Sequence, residues 1–165
     1  MTTADTQPAN ERRARTRKEI KQLIKERNTV LSQYYNLASQ ADEIEERYDQ
    51  IVEQLQEFCQ ELVDYLATGH SESYRRLEEG EERRDDIRDL AEQIYSAINI
   101  TTQAAVEFND MFDLSAGIDT EKMDELPRYL SMLGEHLANR IDLEDRFIDA
   151  LLTRPESDKP QLHAV

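Results

Sequence analysis

Apolar residues recur along this 165-residue chain at spacings of three and four. Leu55, Phe58, Cys59, Leu62, Leu66 and Gly69 fall at i, i+3, i+4 and i+7 intervals, the period of a helix with one buried stripe. The same spacing predicts an earlier helix through Ile20, Leu23, Ile24, Leu31, Tyr34, Tyr35 and Ala38, with Asn10 as its N-cap. The second helix is expected from about Glu43 to Glu79. A third stripe runs through Ile87, Leu90, Ala91, Ile94, Ile98, Thr101, Ala105, Phe108 and Phe112, and a last one through Leu126, Leu130, Leu133, Leu137, Ile141, Ile148 and Leu151. Ser39 to Asp42, Gly80 and Ser115 to Asp119 read as connections. Proline is tolerated only in a first turn or at a kink, so Pro127 sets residues 119–126 apart as a short turn capped by Asp119 or Thr120. Four helical stripes with short connections, few strand signals and no internal repeat predict an all-α protein, an up-down-up-down four-helix bundle.

Three positions break the apolar stripes. Arg27 sits inside the first and Glu144 inside the last. A charge on a core face either reaches the edge or meets a buried opposite charge, so Glu144 is expected to be an internal partner for Arg27 or Arg140, fixing register. Gly69 costs a mid-helix position up to about 1 kcal/mol relative to Ala, which close approach of a neighbouring helix or side chain would compensate.

The outer face of the second helix is unusual in another way. At about 100° per residue, Asp64 points almost opposite Leu55. Gln60, Ala67, Thr68 and Ser71 share its side, with Glu57 and Arg75. Small side chains around one carboxylate leave a low strip that another protein's helix could cover. Periodicity alone favours an ordinary solvated face.

Length and composition narrow the choice. A chain of this size buries roughly 70% of its unfolded surface and needs no disulfide. Residues 10–152 are expected to form one domain, between a disordered arm over 1–9 and a disordered tail over 153–165. The lone Cys59 lies on an apolar stripe and reads as a small buried hydrophobe, which suits a reducing cytoplasm. No secretory signal or membrane-spanning run is visible. The net charge of -16 divides unevenly: residues 1–30 carry eight Lys/Arg against four Asp/Glu, and residues 31–165 twelve against thirty-two. The body, at -20, is repelled by nucleic acid and drawn to basic surfaces. Arg12, Arg13, Arg15, Arg17 and Lys18 form a basic arm that reads first as a solubilising helix start.

No catalytic or cofactor pattern is present. A di-metal bundle site uses Glu-x-x-His pairs, yet Ala67, Leu133 and Pro160 stand three before His70, His136 and His163. One Cys and three dispersed His make no zinc site. Four isolated glycines build no phosphate loop, and no nucleophile elbow is recognisable. His70, beside Gly69, reads as a packed histidine rather than a base. The chain is expected to be neither an enzyme nor a holder of cofactors.

Three blocks carry a resemblance. Phe58-Cys59-Gln60-x-Leu62-Val63-Asp64-Tyr65-Leu66-x-x-Gly69-His70-x-x-x-Tyr74 resembles the signature of the Rsd/AlgQ family of bacterial anti-sigma regulators. Leu31-x-x-Tyr34-Tyr35-Asn36-Leu37 and Leu130-Ser131-x-x-Gly134-Glu135-x-Leu137-x-x-Arg140-x-x-Leu143-Glu144-Asp145 are similar to it as well, in the family's order, covering about Ile20 to Leu152. The resemblance implies an elongated helical bundle that binds domain 4 of the primary sigma factor of RNA polymerase; the free protein is expected to be a monomer. It would block contacts with the promoter −35 element and the polymerase and favour alternative sigma factors in stationary phase. The implied contact face falls on Asp64, Ala67 and Ser71, with Gln60 and Thr68 beside them, and Asp64 would pair with a basic residue of sigma. The resemblance also implies other partners, the phosphocarrier HPr or a ppGpp hydrolase, and hence a metabolic adaptor as the alternative role. Two departures stand out. Ala67-Thr68-Gly69-His70-Ser71 replaces the family's common Ser-Ala-Gly-His-Phe, and the family's first-helix tryptophan is missing from a chain with no Trp.

Overall fold

A computed structural model describes residues 7–78, 85–113 and 119–152. These form five α-helices: α1 (Gln7–Gln40), α2 (Tyr48–Glu78), α3 (Asp85–Met111), α4 (Thr120–Asp124) and α5 (Leu126–Leu152), with a 3-10 turn at Ala41–Glu43. Among the described residues there is no strand. The long helices pack α1 on α2, α2 on α3, α3 on α5 and α5 on α1. One apolar core draws on all of them and on Met123 of α4.

The stripe of α1 differs from the expected one. Its core residues are Ile20, Leu23, Val30 and Leu37, continued by Ala41, while Tyr35 is 69% exposed and Ala38 faces solvent. Alternating steps of three and four keep one narrow seam against a neighbour. Tyr35, one position beyond that seam, points outward.

Two boundaries also move. Asn10 lies inside α1, not at its cap, because the helix starts at Gln7. The second helix begins at Tyr48, not near Glu43. Ser39 to Arg47 contains no glycine or proline to stop a helix, so the chain tightens through the 3-10 turn and a looser one, in which Arg47 N–H reaches Glu43 O at 3.0 Å. Gly80 and Ser115 to Gly117 lie outside the described residues, as do 1–6 and 153–165.

At the other end of α4 the sequence and the structure agree. The Asp119 carboxylate accepts Glu121 N–H at 3.0 Å, capping the short helix. Pro127 occupies the first turn of α5, where its missing N–H has no intrahelical partner to lose.

Candidate functional site

The outward strip of α2 is built by the same periodicity that buries its other side. Leu55, Phe58, Leu62 and Tyr65 are fully buried, which turns Gln60, Asp64 and Ala67 to solvent and leaves Thr68 half-buried. Gln60 Nε2 donates to Asp64 Oδ1 at 3.2 Å, one helical turn away. The carboxylate of this exposed residue is thereby steadied. Val63, 41% exposed, adds an apolar edge to the strip. Ser71 lies in α2, its side chain outside the described residues. Beside Gln60 the strip opens into a hollow of about 400 Å³ between α1 and α2, lined by Gln33, Gln56, Glu57, Gln60 and Glu61. It is a surface of carboxamides and carboxylates, suited to hydrogen-bonding or basic side chains of a partner.

Directly behind the strip is a buried ionic layer. Glu144, 5% exposed, accepts the Tyr65 hydroxyl on Oε1 and Arg140 Nε on Oε2 at 3.2 Å. Arg27 Nη1 stands 3.5 Å from Glu144 Oε1 and donates to Asp145 Oδ1 at 2.8 Å. Glu144 therefore meets both Arg27 and Arg140. Arg140, 3% exposed, also donates from Nη1 to Thr101 Oγ1 at 3.2 Å and Thr102 Oγ1 at 2.8 Å. Its guanidinium lies 5.3 Å from the centre of the Tyr65 ring, a cation–π contact in a desolvated setting. α1, α2, α3 and α5 all contribute to the layer.

Gly69 fits this layer. A Cβ there would lie 3.1 Å from Arg140 Nη2 and 3.7 Å from Leu23 Cδ1. The guanidinium occupies the space a side chain would take.

Electrostatics follow from the burial. Desolvation, reinforced by the Glu144 carboxylate, pushes the Tyr65 hydroxyl far above its ordinary pKa, so it stays a donor. Burial works against the Arg27 charge, but its hydrogen bond to Asp145 and the charges of Asp145 and Glu144 outweigh that and hold its pKa up. Burial, with Asp113 nearby, pushes the Cys59 thiol up to about 12, so it stays protonated at neutral pH.

Sequence reasoning singled out Arg27, Gly69 and Glu144 but missed Tyr65, Thr101 and Thr102 as their polar partners. Tyr65 falls three residues after Leu62 on the buried side; a tyrosine there needs a partner for its hydroxyl. That was the one available signal. Among the described residues no group of three or more His, Cys, Asp or Glu is placed to hold a metal ion. No described helix is long and apolar enough to cross a membrane.

These features define an all-helical protein whose candidate site is a helix surface rather than a cleft. Residues 2–152 match the family model described as regulator of RNA polymerase sigma(70) subunit, Rsd/AlgQ, and the chain belongs to that family. It is 35% identical over 130 residues to a regulator of sigma D from Pectobacterium atrosepticum, covering 78% of this chain and 84% of the relative. Similar regulators of sigma D occur in an Enterobacter species, 35% identical over 123 residues (74% of this chain, 73% of the relative), and in Yersinia enterocolitica, 32% identical over 111 residues (67% and 66%). No solved structure gives a match.

Proposed function

We propose that this protein is an anti-sigma factor. It binds domain 4 of the primary sigma factor through the α2 strip, with Asp64 as the central contact and Gln60, Ala67, Thr68 and Ser71 around it. Covering that domain blocks its contacts with the promoter −35 element and the polymerase. The role is regulatory and cytoplasmic, without catalysis or cofactor, and the free protein is a monomer. Arg27, Glu144 and Gly69 act structurally, setting helix register behind the strip. The ring of helix contacts supports an elongated up-down-up-down four-helix bundle as the frame.

The observation that carries this reading is the exposed Asp64. Gln60 orients it, and among the described residues it forms no ion pair. A net charge of -16 steers such a surface toward a basic partner. Titration with sigma domain 4, at low and physiological salt, is the test. Submicromolar binding that weakens with salt is expected, and Asp64→Arg should cost about 2 kcal/mol or more, as for a charge pair at an interface. Unaltered binding by that variant would remove α2 as the sigma site.

One difference favours a second reading. Serine at position 71, where the family commonly has phenylalanine, removes an apolar anchor from the strip. If sigma domain 4 does not bind, the protein is a metabolic adaptor and dephosphorylated HPr or a ppGpp hydrolase is the ligand to titrate.

A further inference from the structure

The outward face of α1 differs from the rest of the surface. At about 100° per residue, Arg13, Arg17, Lys18, Lys21, Lys25, Asn28, Ser32 and Tyr35 fall within one arc of roughly 140°. All eight are exposed. No carboxylate interrupts the arc, although the chain has 36 Asp and Glu. Of the α1 acids, Glu11 precedes the face, while Glu19 and Glu26 are half-buried outside the arc.

Among the described residues the cations on this face form no ion pair. Four exposed arginines on the later elements each take a carboxylate three or four residues away: Arg47 with Glu43 at 2.9 Å, Arg88 with Asp85, Arg128 with Glu125 at 3.4 Å and Arg146 with Asp142 at 3.2 Å. Arg13, Arg17, Lys18, Lys21 and Lys25 form no ion pair among the described residues. The cations extend about 18 Å along the helix, and Tyr35 lies about 15 Å further on.

The shape and chemistry of this face select among polyanions. It is one helix wide and flanked by carboxylates, Glu57 and Glu61 on the α2 side and Asp145 on the α5 side. A membrane or a duplex would press against those flanks; a single strand would not. A protein partner would be expected to use apolar anchors and little lysine, whereas this face is lysine-rich, its apolar Ile24 and Leu31 half-buried along one edge, with Asn28 and Ser32 as hydrogen-bonding groups and one exposed aromatic ring. A cationic row leading to a free ring is the layout of a single-strand site, phosphates along the row and a base on the ring. Asn28 and Ser32 offer partners for ribose 2′-hydroxyls. We propose that the outward face of α1 binds single-stranded RNA, independently of what the α2 strip binds.

The acidic body shapes the expected affinity. Apart from the flanking carboxylates, it lies about a helix diameter behind the face, roughly 10 Å, which exceeds the Debye length of about 8 Å at physiological salt. Its repulsion is screened there and felt at low salt.

Fluorescence anisotropy with a labelled oligouridine of about twelve nucleotides tests the proposal on the full chain. Above about 0.1 M salt, log affinity should fall with a slope of about −3, as for four or five phosphate contacts on a single strand, and flatten at lower salt. Lys21→Glu with Lys25→Glu should weaken binding about tenfold or more and make the slope shallower by about 1.4. Tyr35→Ala should weaken it about fivefold or more and leave the slope unchanged. The control is Lys122→Glu with Arg128→Glu, the same change in net charge on exposed cations elsewhere, which should bind as the parent does. Circular dichroism of each variant verifies the helices. The proposal is overturned by no binding, by equal loss in both charge-reversed variants, by oligothymidine binding as tightly as oligouridine, or by tighter binding to anionic phosphatidylglycerol vesicles.

Discussion

Two cross-sections of this protein each join the same four helices, and they do so with opposite chemistry. In one, Tyr34 of α1, Phe58 of α2, Phe108 of α3, Phe112 just beyond it and Tyr129 of α5 form a chain of rings with centroids 4.8–6.3 Å apart. In the other, seven residues along α1, α2 and α3, Arg27, Tyr65 and Thr101 meet Arg140 and Glu144 of α5. Each layer receives one long side chain over a helix glycine, Tyr34 against Gly134 and Arg140 against Gly69. Ring packing gains energy from area and tolerates small shifts. A buried ion cluster contributes little net stability but strongly resists losing any one member. On the proposed reading, the ring layer supplies adhesion and the ionic layer supplies register behind the α2 strip.

The largest effect comes from breaking the ionic layer at its centre. Glu144→Ala leaves Arg140 buried without its carboxylate and the Tyr65 hydroxyl without its acceptor. Urea unfolding should show a loss of about 3–5 kcal/mol. Replacing the members together, Tyr65→Phe with Arg140→Met and Glu144→Leu, removes the orphaned groups as well, and the loss should shrink to about 1 kcal/mol or vanish. Equal losses in the single and triple variants would mean that the cluster stabilises the fold outright and that the contrast with the ring layer is wrong.

A smaller effect is expected in the ring layer, at Gly134. The Tyr34 hydroxyl donates to Leu130 O at 2.7 Å, and a Cβ on residue 134 would lie 2.2 Å from that oxygen and 2.9 Å from Cζ. The ring cannot stay. Gly134→Ala should destabilise by about 2 kcal/mol, overpacking outweighing the gain in helix propensity. Adding Tyr34→Phe removes the closest clashing atom and the hydrogen bond together, so the double variant should lose less than the two single losses summed. Simple additivity would show that the two positions do not meet.

How much of this could be read from the chain depends on what a stripe reveals. A carboxylate inside an apolar period is conspicuous, so Glu144 and Arg27 were legible, and Gly69 in mid-helix was equally plain. Tyr65 and Thr101 were not, because tyrosine and threonine suit a core stripe whether or not their hydroxyls are engaged. The α1 seam is ambiguous in the sequence, where Tyr35 and Ala38 are as apolar as Val30 and Leu37; only packing decides which of two adjacent apolar residues turns inward. The end of α1 ran past its expected stop because no residue there breaks a helix. On α2 the period separated the outer strip from the core, but periodicity carries no information on which exposed residues touch a partner. That assignment came from the family's motif.

The finest distinction between the two layers is Gly69→Ala. The added methyl would sit 3.1 Å from Arg140 Nη2, the free end of a long side chain rather than a ring, so a shift of a few tenths of an ångström relieves it. Alanine also gains up to about 1 kcal/mol in helix propensity. The two effects nearly cancel, and the expected change in unfolding free energy is within about 1 kcal/mol of zero, against about 2 at Gly134. The sign should depend on the guanidinium. In the triple variant that lacks Arg140, Gly69→Ala should become stabilising by about 1 kcal/mol, because a methionine in that place can move aside without leaving a charge unpaired. If Gly69→Ala is as costly as Gly134→Ala in both backgrounds, the glycine is there for the backbone and not for the arginine.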